Sequence, residues 1–288
     1  MIQALSGQLL VGLINGSFYA LLSLGLAIIF GLLDVVNFAH GAQYMLGAFV
    51  AWMAMHYLGI NYWWALILTP IVVGLAAMIF ERLVLRRLYG LDPLYGLLLT
   101  FGVALVLEGI FQNAFGISGN SYPVPELLQG GTNLGFMYLP KYRVWVVIVS
   151  IAVCFGSWFM IERTRLGAYL RAGTENPKLL QAFGVNVPLM LTLTYGYGVA
   201  LAAFAGVMAA PIYQVTPLMG ANVIMVVFAV VVIGGMGSIA GSIVTGLGLG
   251  LIEGLTKFLY APASDVVVFI VMALVLLVRP SGLFGRQR

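Results

Sequence analysis

Charge is what this sequence has least of. Only 8% of its 288 residues are Asp, Glu, Lys or Arg, against about 25% in a soluble domain, too few to cover a water-facing surface. Most of the chain is therefore expected to sit in lipid. At about 20 residues per membrane helix there is room for roughly eight to ten spans joined by short loops, which excludes a sizeable catalytic domain outside the bilayer. Cysteine is nearly absent as well. The single one, Cys154, lies inside an apolar run, which excludes a disulfide framework or a thiolate metal site within one chain and leaves it a packing residue. With only two histidines, His40 and His56, a metal site would need carboxylate help that no pattern supplies. There is no Gly-Lys dipeptide, no His-Glu-x-x-His and no Gly-x-Ser-x-Gly, so the phosphate loop, the zinc hydrolase helix and the nucleophile elbow are all excluded. The chain reads as no enzyme, with no cofactor or metal of its own. Basic residues are missing before Arg82, so the N-terminus lacks the positive region of a cleavable signal. The run from about Gly7 to Leu33 is expected to be a retained span.

What is there is apolar: 62% of the residues are hydrophobic. Apolar length and punctuation place spans at roughly 8–32, 41–58, 62–80, 94–115, 144–161, 188–212, 222–236, 240–258 and 264–278. The expected fold class is an all-α polytopic membrane protein of about eight to nine spans, a single transmembrane domain over residues 1–288. The net charge of +4 is scattered, so it signals topology rather than nucleic acid. Three polar segments hold 10 of the 13 basic residues: Arg82, Arg86 and Arg87; Arg163, Arg165, Arg171 and Lys178; Arg279, Arg286 and Arg288. Short Lys- and Arg-rich loops stay in the cytoplasm, and nine spans put all three on one side, with the N-terminus outside and the C-terminus inside. On that reading, residues 162–187 form a cytoplasmic loop and 116–143 an extracytoplasmic one, rich in Pro, Gly and Asn and holding a short helix. Lys141 and Arg143 lie on the wrong side for the charge bias, a docking contact being the other reading.

Two segments interrupt the apolar mass: Gly31-Leu-Leu-Asp-Val-Val-Asn-Phe-Ala-His-Gly41 and Val232-Ile-Gly-Gly-Met-Gly-Ser-Ile-Ala-Gly241. Irregular backbone at membrane depth is tolerated only where protein or a water-filled cavity satisfies it. The two fall in corresponding places of oppositely directed halves, which predicts interrupted or re-entrant segments in inverted repeats around a midplane translocation site. Asn37, His40, Gly41, Gly234, Gly235, Gly237 and Ser238 are the residues singled out there. For His40, a structural bond to freed carbonyls competes with a role in passage. The second segment resembles a dinucleotide loop, but no strand precedes it and its last glycine is one place late, so it reads as a membrane hairpin. Small residues also recur every fourth position at Gly12, Gly16 and Ala20, at Gly198, Ala202, Gly206 and Ala210, and at Ser242, Gly246, Gly250 and Gly254. Such a groove lets a second backbone approach, within the chain first of all, a dimer seam or a pore lining being the alternatives.

Charges inside spans are expensive and draw functional suspicion. Glu108 has no local partner and so faces a polar cavity, pairs with another span or is protonated. Glu253 and Lys257, four apart with the acid first, are expected to form a helical ion pair. Asp34 and Asp265 lie near span ends, within reach of headgroups or water, and His56 beside Tyr57 reads as an interface residue. Between the fifth and sixth spans, Asn176 is a good N-cap, Pro177 suits the first helical position and Gly184 the stop, which delimits a helix of about two turns. So short a helix is marginal alone. It displays Leu179, Leu180 and Phe183 beside Lys178, a set suited to a partner's groove; packing along the membrane surface is the other reading.

These segments together resemble the membrane subunits of branched-chain amino acid ABC transporters, the first of the two permease types in particular. The matching stretches are Leu13-Ile-Asn-Gly-Ser-Phe-Tyr-Ala-Leu21 with Ile29-Phe-Gly31; Asn37-Phe-Ala-His-Gly41 with Met45 and Gly47-Ala-Phe49; Gln181-Ala-Phe-Gly-Val-Asn186; Val230-Val-Val-Ile-Gly-Gly-Met-Gly-Ser238 through Glu253; and Arg279-Pro-Ser-Gly-Leu-Phe-Gly285. The resemblance implies a multi-pass permease of a bacterial inner membrane, surrounded by lipid and paired with a second, related permease. It also implies two cytoplasmic ATPases that hold ATP and Mg on their own chains, a periplasmic substrate-binding protein, and a coupling helix over Asn176, Pro177, Lys178, Leu179, Leu180, Phe183 and Gly184. The implied cargo is a branched-chain or related amino acid; since such relatives also carry urea, short amides or aromatic acids, the exact solute stays open. The implied mechanism is alternating access. An ion-coupled secondary transporter of a small polar solute, with Glu108 as its ion site, is the alternative, and a structural membrane scaffold a third reading.

Overall fold

In lipid, backbone N–H and C=O groups must be paired within the protein, so apolar segments become helices. The computed structural model describes residues 2–33, 35–135 and 137–285; Asp34, Arg286 and Arg288 lie outside the described residues. The helices are α1 Ile2–Leu33, α2 His40–Leu58, α3 Tyr62–Leu83, α4 Pro93–Phe115, α5 Lys141–Arg163, α6 Arg165–Glu175, α7 Pro177–Ala182, α8 Val187–Ala209, α9 Met219–Gly234, α10 Ile239–Leu259 and α11 Val267–Val278. Strands β1 Gly131–Asn133 and β2 Tyr138–Pro140 pair antiparallel between α4 and α5.

Every apolar segment expected to span is helical. By length and composition six of the helices suffice to cross a membrane: α1, α3 with the turn that follows it, α4, α5, α8 and α10. α2 is long enough at 19 residues, but His40, Gln43, Tyr44 and His56 dilute its hydropathy. α9 and α11, at 16 and 12 residues, are about 24 and 18 Å long, short of a hydrocarbon core of about 30 Å. α1 begins at Ile2 rather than near residue 8 and, at 32 residues, reaches about 48 Å. The outward faces of α3, α4 and α5 carry exposed Ile71, Leu75, Leu98, Leu105, Ile148 and Phe155, which suit lipid as the solvent. The short helix expected in the loop after α4 is a single turn at Glu126–Leu128. The hairpin beside it was not foreseen, since three-residue strands carry no periodic signal. Lys141 and Arg143 belong to the first turn of α5.

The chain divides into two compact units, one of Met1–Leu24, Pro123–Phe155 and Met225–Arg288, the other of Gly25–Tyr122 and Gly156–Ile224. In the first, the start of α1 lies directly on α10. A Cβ built on Gly250 would collide with the Gly16 Cα and the Gly12 carbonyl, and one on Gly254 would come 2.5 Å from the Gln8 carbonyl oxygen. Ala229, Val230, Ile233, Leu249 and Val268 form the core beside this contact. In the second unit α8 is the central helix. A Cβ on Gly206 would strike the Tyr44 carbonyl, one on Gly47 the Ala203 carbonyl, and one on Gly198 would lie 2.8 Å from the Gly25 oxygen. Ile29, Val73, Ala77, Leu85, Tyr195, Val199 and Ala203 are the core there, and Phe49 of α2 packs in tilted contact with Phe111 and Phe115 of α4, ring centroids 4.7 and 5.3 Å apart. The fourfold glycine and alanine spacing thus serves packing within the chain at the positions named, as the first of the three readings had it.

Candidate functional site

A helix broken at membrane depth leaves carbonyls and N–H groups that must find partners. At the α1–α2 break, in the second unit, side chains supply them. Asn37 Oδ1 accepts from the Ala39 N–H at 3.1 Å, and its amide donates to Gln43 Oε1 at 3.0 Å. Gln43 Nε2 in turn donates to the Tyr195 hydroxyl at 3.1 Å. Thr100 of α4 accepts from the Phe38 N–H at 3.1 Å and donates to the Val36 carbonyl at 3.2 Å. The break is therefore clamped by α4 on one side and α8 on the other. His40 is fully buried, its ring 3.0 Å from where a Cβ on Gly25 would stand. Gly41 admits the backbone of α9: a Cβ there would lie 2.6 Å from the Gly220 oxygen.

The α9–α10 break belongs to the first unit and is built from backbone. Ser238 caps α10, its hydroxyl accepting from the Gly241 N–H at 3.1 Å. The last carbonyls of α9 are met by the C-terminal turn, Leu283 N–H donating to Ile233 O at 2.8 Å and Phe284 N–H to Gly234 O at 3.1 Å. Gly235 and Gly237 hold φ of +99° and +85°, a region that side-chain-bearing residues avoid. A Cβ on Gly235 would also collide with the Gly285 N–H, and one on Gly234 would come 2.7 Å from the Gly241 carbonyl carbon. The Gly-Gly-Met-Gly-Ser and Pro-Ser-Gly-Leu-Phe-Gly stretches thus prove to be two sides of one contact.

The polar residue that sequence reasoning missed is Glu81. It is fully buried near the end of α3, and its Oε2 accepts from the Thr192 hydroxyl of α8 at 2.6 Å. Tyr89 faces it from the following turn; burial first, and the Glu81 carboxylate second, push that phenol above its ordinary value. Beside Arg82, Glu81 looks like a solvated flank. The signal was in the spacing, since Ala65, Thr69, Val73, Ala77 and Glu81 recur every four residues along the buried face of α3. Glu81→Ala opens a hole and removes the tie to α8, an expected loss of about 2–4 kcal/mol. Glu81→Gln keeps an acceptor for Thr192 and should cost clearly less. Thermal unfolding of the purified protein reads both, and equal losses would deny the hydrogen bond its role.

The other intramembrane charges come out unevenly. Glu253 makes no ion pair with Lys257, which is exposed. Instead it accepts from Tyr19 Oη at 2.8 Å and Asn15 Nδ2 at 3.3 Å. The glycine contact brings α1 close enough for these donors to reach the carboxylate, an outcome that the spacing on α10 alone did not contain. Glu108 is half-buried on α4, with no hydrogen bond or ion pair to the described residues, and does not join the Asn37 cluster. Asp265 is exposed, and His56 stacks on Trp52 at 4.9 Å.

The segment after α5 folds as two helices, of which only the second was expected. In α7, Asn176 Oδ1 accepts from the Leu179 N–H at 3.0 Å, Pro177 opens the helix, and Gly184 closes it at φ +82°. Lys178 is exposed, as are Leu179 at 54% and Phe183 at 77%. Leu180 departs from expectation. It is 7% exposed, turned toward α6, where a Cβ on Gly173 would meet its Cδ2 at 3.3 Å. Leu179 and Phe183 are four apart and share a face, while Leu180 lies about 100° round the helix. The outward apolar set is therefore two residues, not three.

Comparison with known proteins places this arrangement. The model of the family described as "Branched-chain amino acid transport system / permease component" matches residues 8–276. The chain is similar to the high-affinity branched-chain amino acid transport system permease protein BraD of Pseudomonas aeruginosa, 33% identical over 97% of this chain and 95% of that one. It is similar to the permease protein LivH of the same-named system in Escherichia coli strain K12, 32% identical over 97% and 95%. LivM of Salmonella typhimurium is more distant, at 26% over 94% of this chain and 68% of that one. No solved structure matches. With apolar helices of membrane length, two protein-clamped helix breaks and a family match over nearly the whole sequence, this chain belongs to the permease components of branched-chain amino acid transport systems.

Proposed function

We propose that the chain is one of two related membrane subunits of an ATP-driven importer of branched-chain or related amino acids in a bacterial inner membrane. All nine apolar segments cross or enter the bilayer, with the N-terminus outside and the C-terminus in the cytoplasm, and the two halves are inverted repeats around a central path. Similarity to relatives of both the LivH and the LivM name supports a second permease beside this one. ATP and Mg belong to two cytoplasmic ATPase subunits, and a periplasmic protein delivers the solute.

The observation that carries this reading is α7: a capped six-residue helix that follows the short α6 in the connection between α5 and α8, both of membrane length, with Leu179 and Phe183 turned outward beside Lys178. Such a surface has no use for water and every use for a partner's groove. When the ATPases close, α7 moves with them. It is continuous through Asn186, which caps α8 by accepting from the Leu189 N–H at 3.1 Å, and α8 bears Tyr195, the hydrogen-bond partner of the α1–α2 break. A push on α7 thereby reaches Gln43 and Asn37 through contiguous contacts. The permease itself needs two packings close in free energy and a polar route, rather than bond-making chemistry.

Purification of the tagged chain from its native membrane should bring down a second permease, an ATPase and a binding protein that carries a branched-chain or related amino acid. The ion-coupled reading has no support among the relatives, each named as a component of a transport system. Solute uptake by this chain alone in proteoliposomes, on an ion gradient without ATP, would overturn the proposal.

A further inference from the structure

The second unit contains a cavity of about 630 Å³ that neither helix break uses. Its floor is the seam between Pro70, Gly74 and Met78 of α3 and Leu189, Leu193 and Ala200 of α8. From Leu189 to Ala200 the lining follows α8 for about 16 Å, close to one leaflet of a hydrocarbon core about 30 Å thick. The wall is apolar and opens sideways, where Ile71, Leu75 and Leu193 are each about half exposed, at 51%, 53% and 50%. In a membrane-embedded chain that opening faces lipid.

At its end the cavity meets α6 and the last turn of α5. Leu166, Tyr169 and Leu170 of α6 line it at helical i, i+3, i+4 spacing, together with Ile161 of α5. The residues that flank these in sequence, between Ile161 and Leu166 and at Arg171, are largely basic. The Arg171 guanidinium donates to the Ile161 carbonyl at 2.9 Å and pairs with Glu162 at 3.3 Å. That ion pair neutralises one arginine and leaves Arg163, over the Trp158 ring at 5.9 Å, and the exposed Arg165. An amphipathic helix with cations and aromatic side chains at the end of an apolar slot is the arrangement that holds a lipid by its tail and headgroup together. A partner's membrane helix would need a groove along the whole of α8; this one stops at a leaflet's depth.

We propose that the groove between α3, α6 and α8 holds one acyl chain of an anionic phospholipid, with the phosphate held at Arg163 and Arg165. The site rests on the membrane reading of the chain and not on the transport reading, so its test needs no transport assay. The purified protein is mixed in detergent with equal amounts of phosphatidylglycerol and phosphatidylcholine, and the lipid retained is counted by native mass spectrometry. One phospholipid per chain is expected, with phosphatidylglycerol preferred. Arg163→Gln and Arg165→Gln should each lower that preference about fivefold, the value of one cation near a lipid surface, while a lipid remains bound. Leu193→Trp and, independently, Leu75→Trp fill the slot and should abolish retention in protein that elutes as wild type. Inorganic phosphate alone should not displace the lipid. Retention undiminished in both tryptophan variants, or a headgroup preference unchanged in both glutamine variants, overturns the assignment. So does a Leu193→Cys side chain that crosslinks in native membranes to a second permease rather than to lipid.

Discussion

Alanine at both Leu179 and Phe183 should abolish ATP-driven uptake and the stimulation of ATPase activity by substrate, while the permease stays folded in the membrane at wild-type amounts. The two side chains are 54% and 77% exposed and contribute little to the chain's own packing, so their removal leaves the spans intact. If they dock in a partner ATPase, each forfeits about 1.5–3 kcal/mol of burial. Together that weakens the contact by two to four powers of ten. The caps make the double variant informative: Asn176, Pro177 and Gly184 hold α7 through backbone groups, without help from either side chain, so the surface is lost and the helix is not. The measurement is substrate-stimulated ATPase rate against solute uptake in proteoliposomes of the whole assembly. Uptake at the wild-type rate would show that α7 is not the coupling element.

Gly250→Val should yield almost no stable protein. The built Cβ meets the Gly16 Cα and the Gly12 carbonyl, both backbone, so no rotamer relieves it and α1 must part from α10. Overpacking alone costs upward of about 3 kcal/mol, and separation also takes Tyr19 and Asn15 from Glu253, bonds of 2.8 and 3.3 Å. Gly248 on the same helix is the control, because a Cβ there meets nothing within 4 Å. Gly248→Val should give nearly wild-type yield of monodisperse protein on gel filtration. Equal yields from the two variants would mean that α1 and α10 do not touch where the structure places them.

Much of the architecture was legible because lipid imposes a simple rule. With 8% charge, apolar runs had to be helices, and polar punctuation had to mark their ends. Asn176, Pro177 and Gly184 were readable for a related reason: caps are local and act on N–H groups two or three residues away. The fourfold glycines pointed first to close contact within the chain, because a stripe without side chains lets a second backbone approach. The sequence did not name the helix on the other side of each stripe.

That was decided by tertiary structure, since a partner far along the chain leaves no periodic trace. Glu253 was expected to turn to Lys257 on its own helix and turned to Asn15 and Tyr19, some 235 residues away. Glu81 drew no notice in the sequence, and α8 supplies its partner, Thr192. Leu180 was grouped with Leu179 and Phe183 until α6, itself unforeseen, covered it. By itself the sequence determined the solvent, the apolar helices, the caps and the family likeness, because each depends on composition or on residues a few places apart. Only the packing of distant helices decided which polar groups meet, which apolar side chains stay outside and where a lipid-sized groove is left, because backbone proximity is a property of two surfaces rather than of either one.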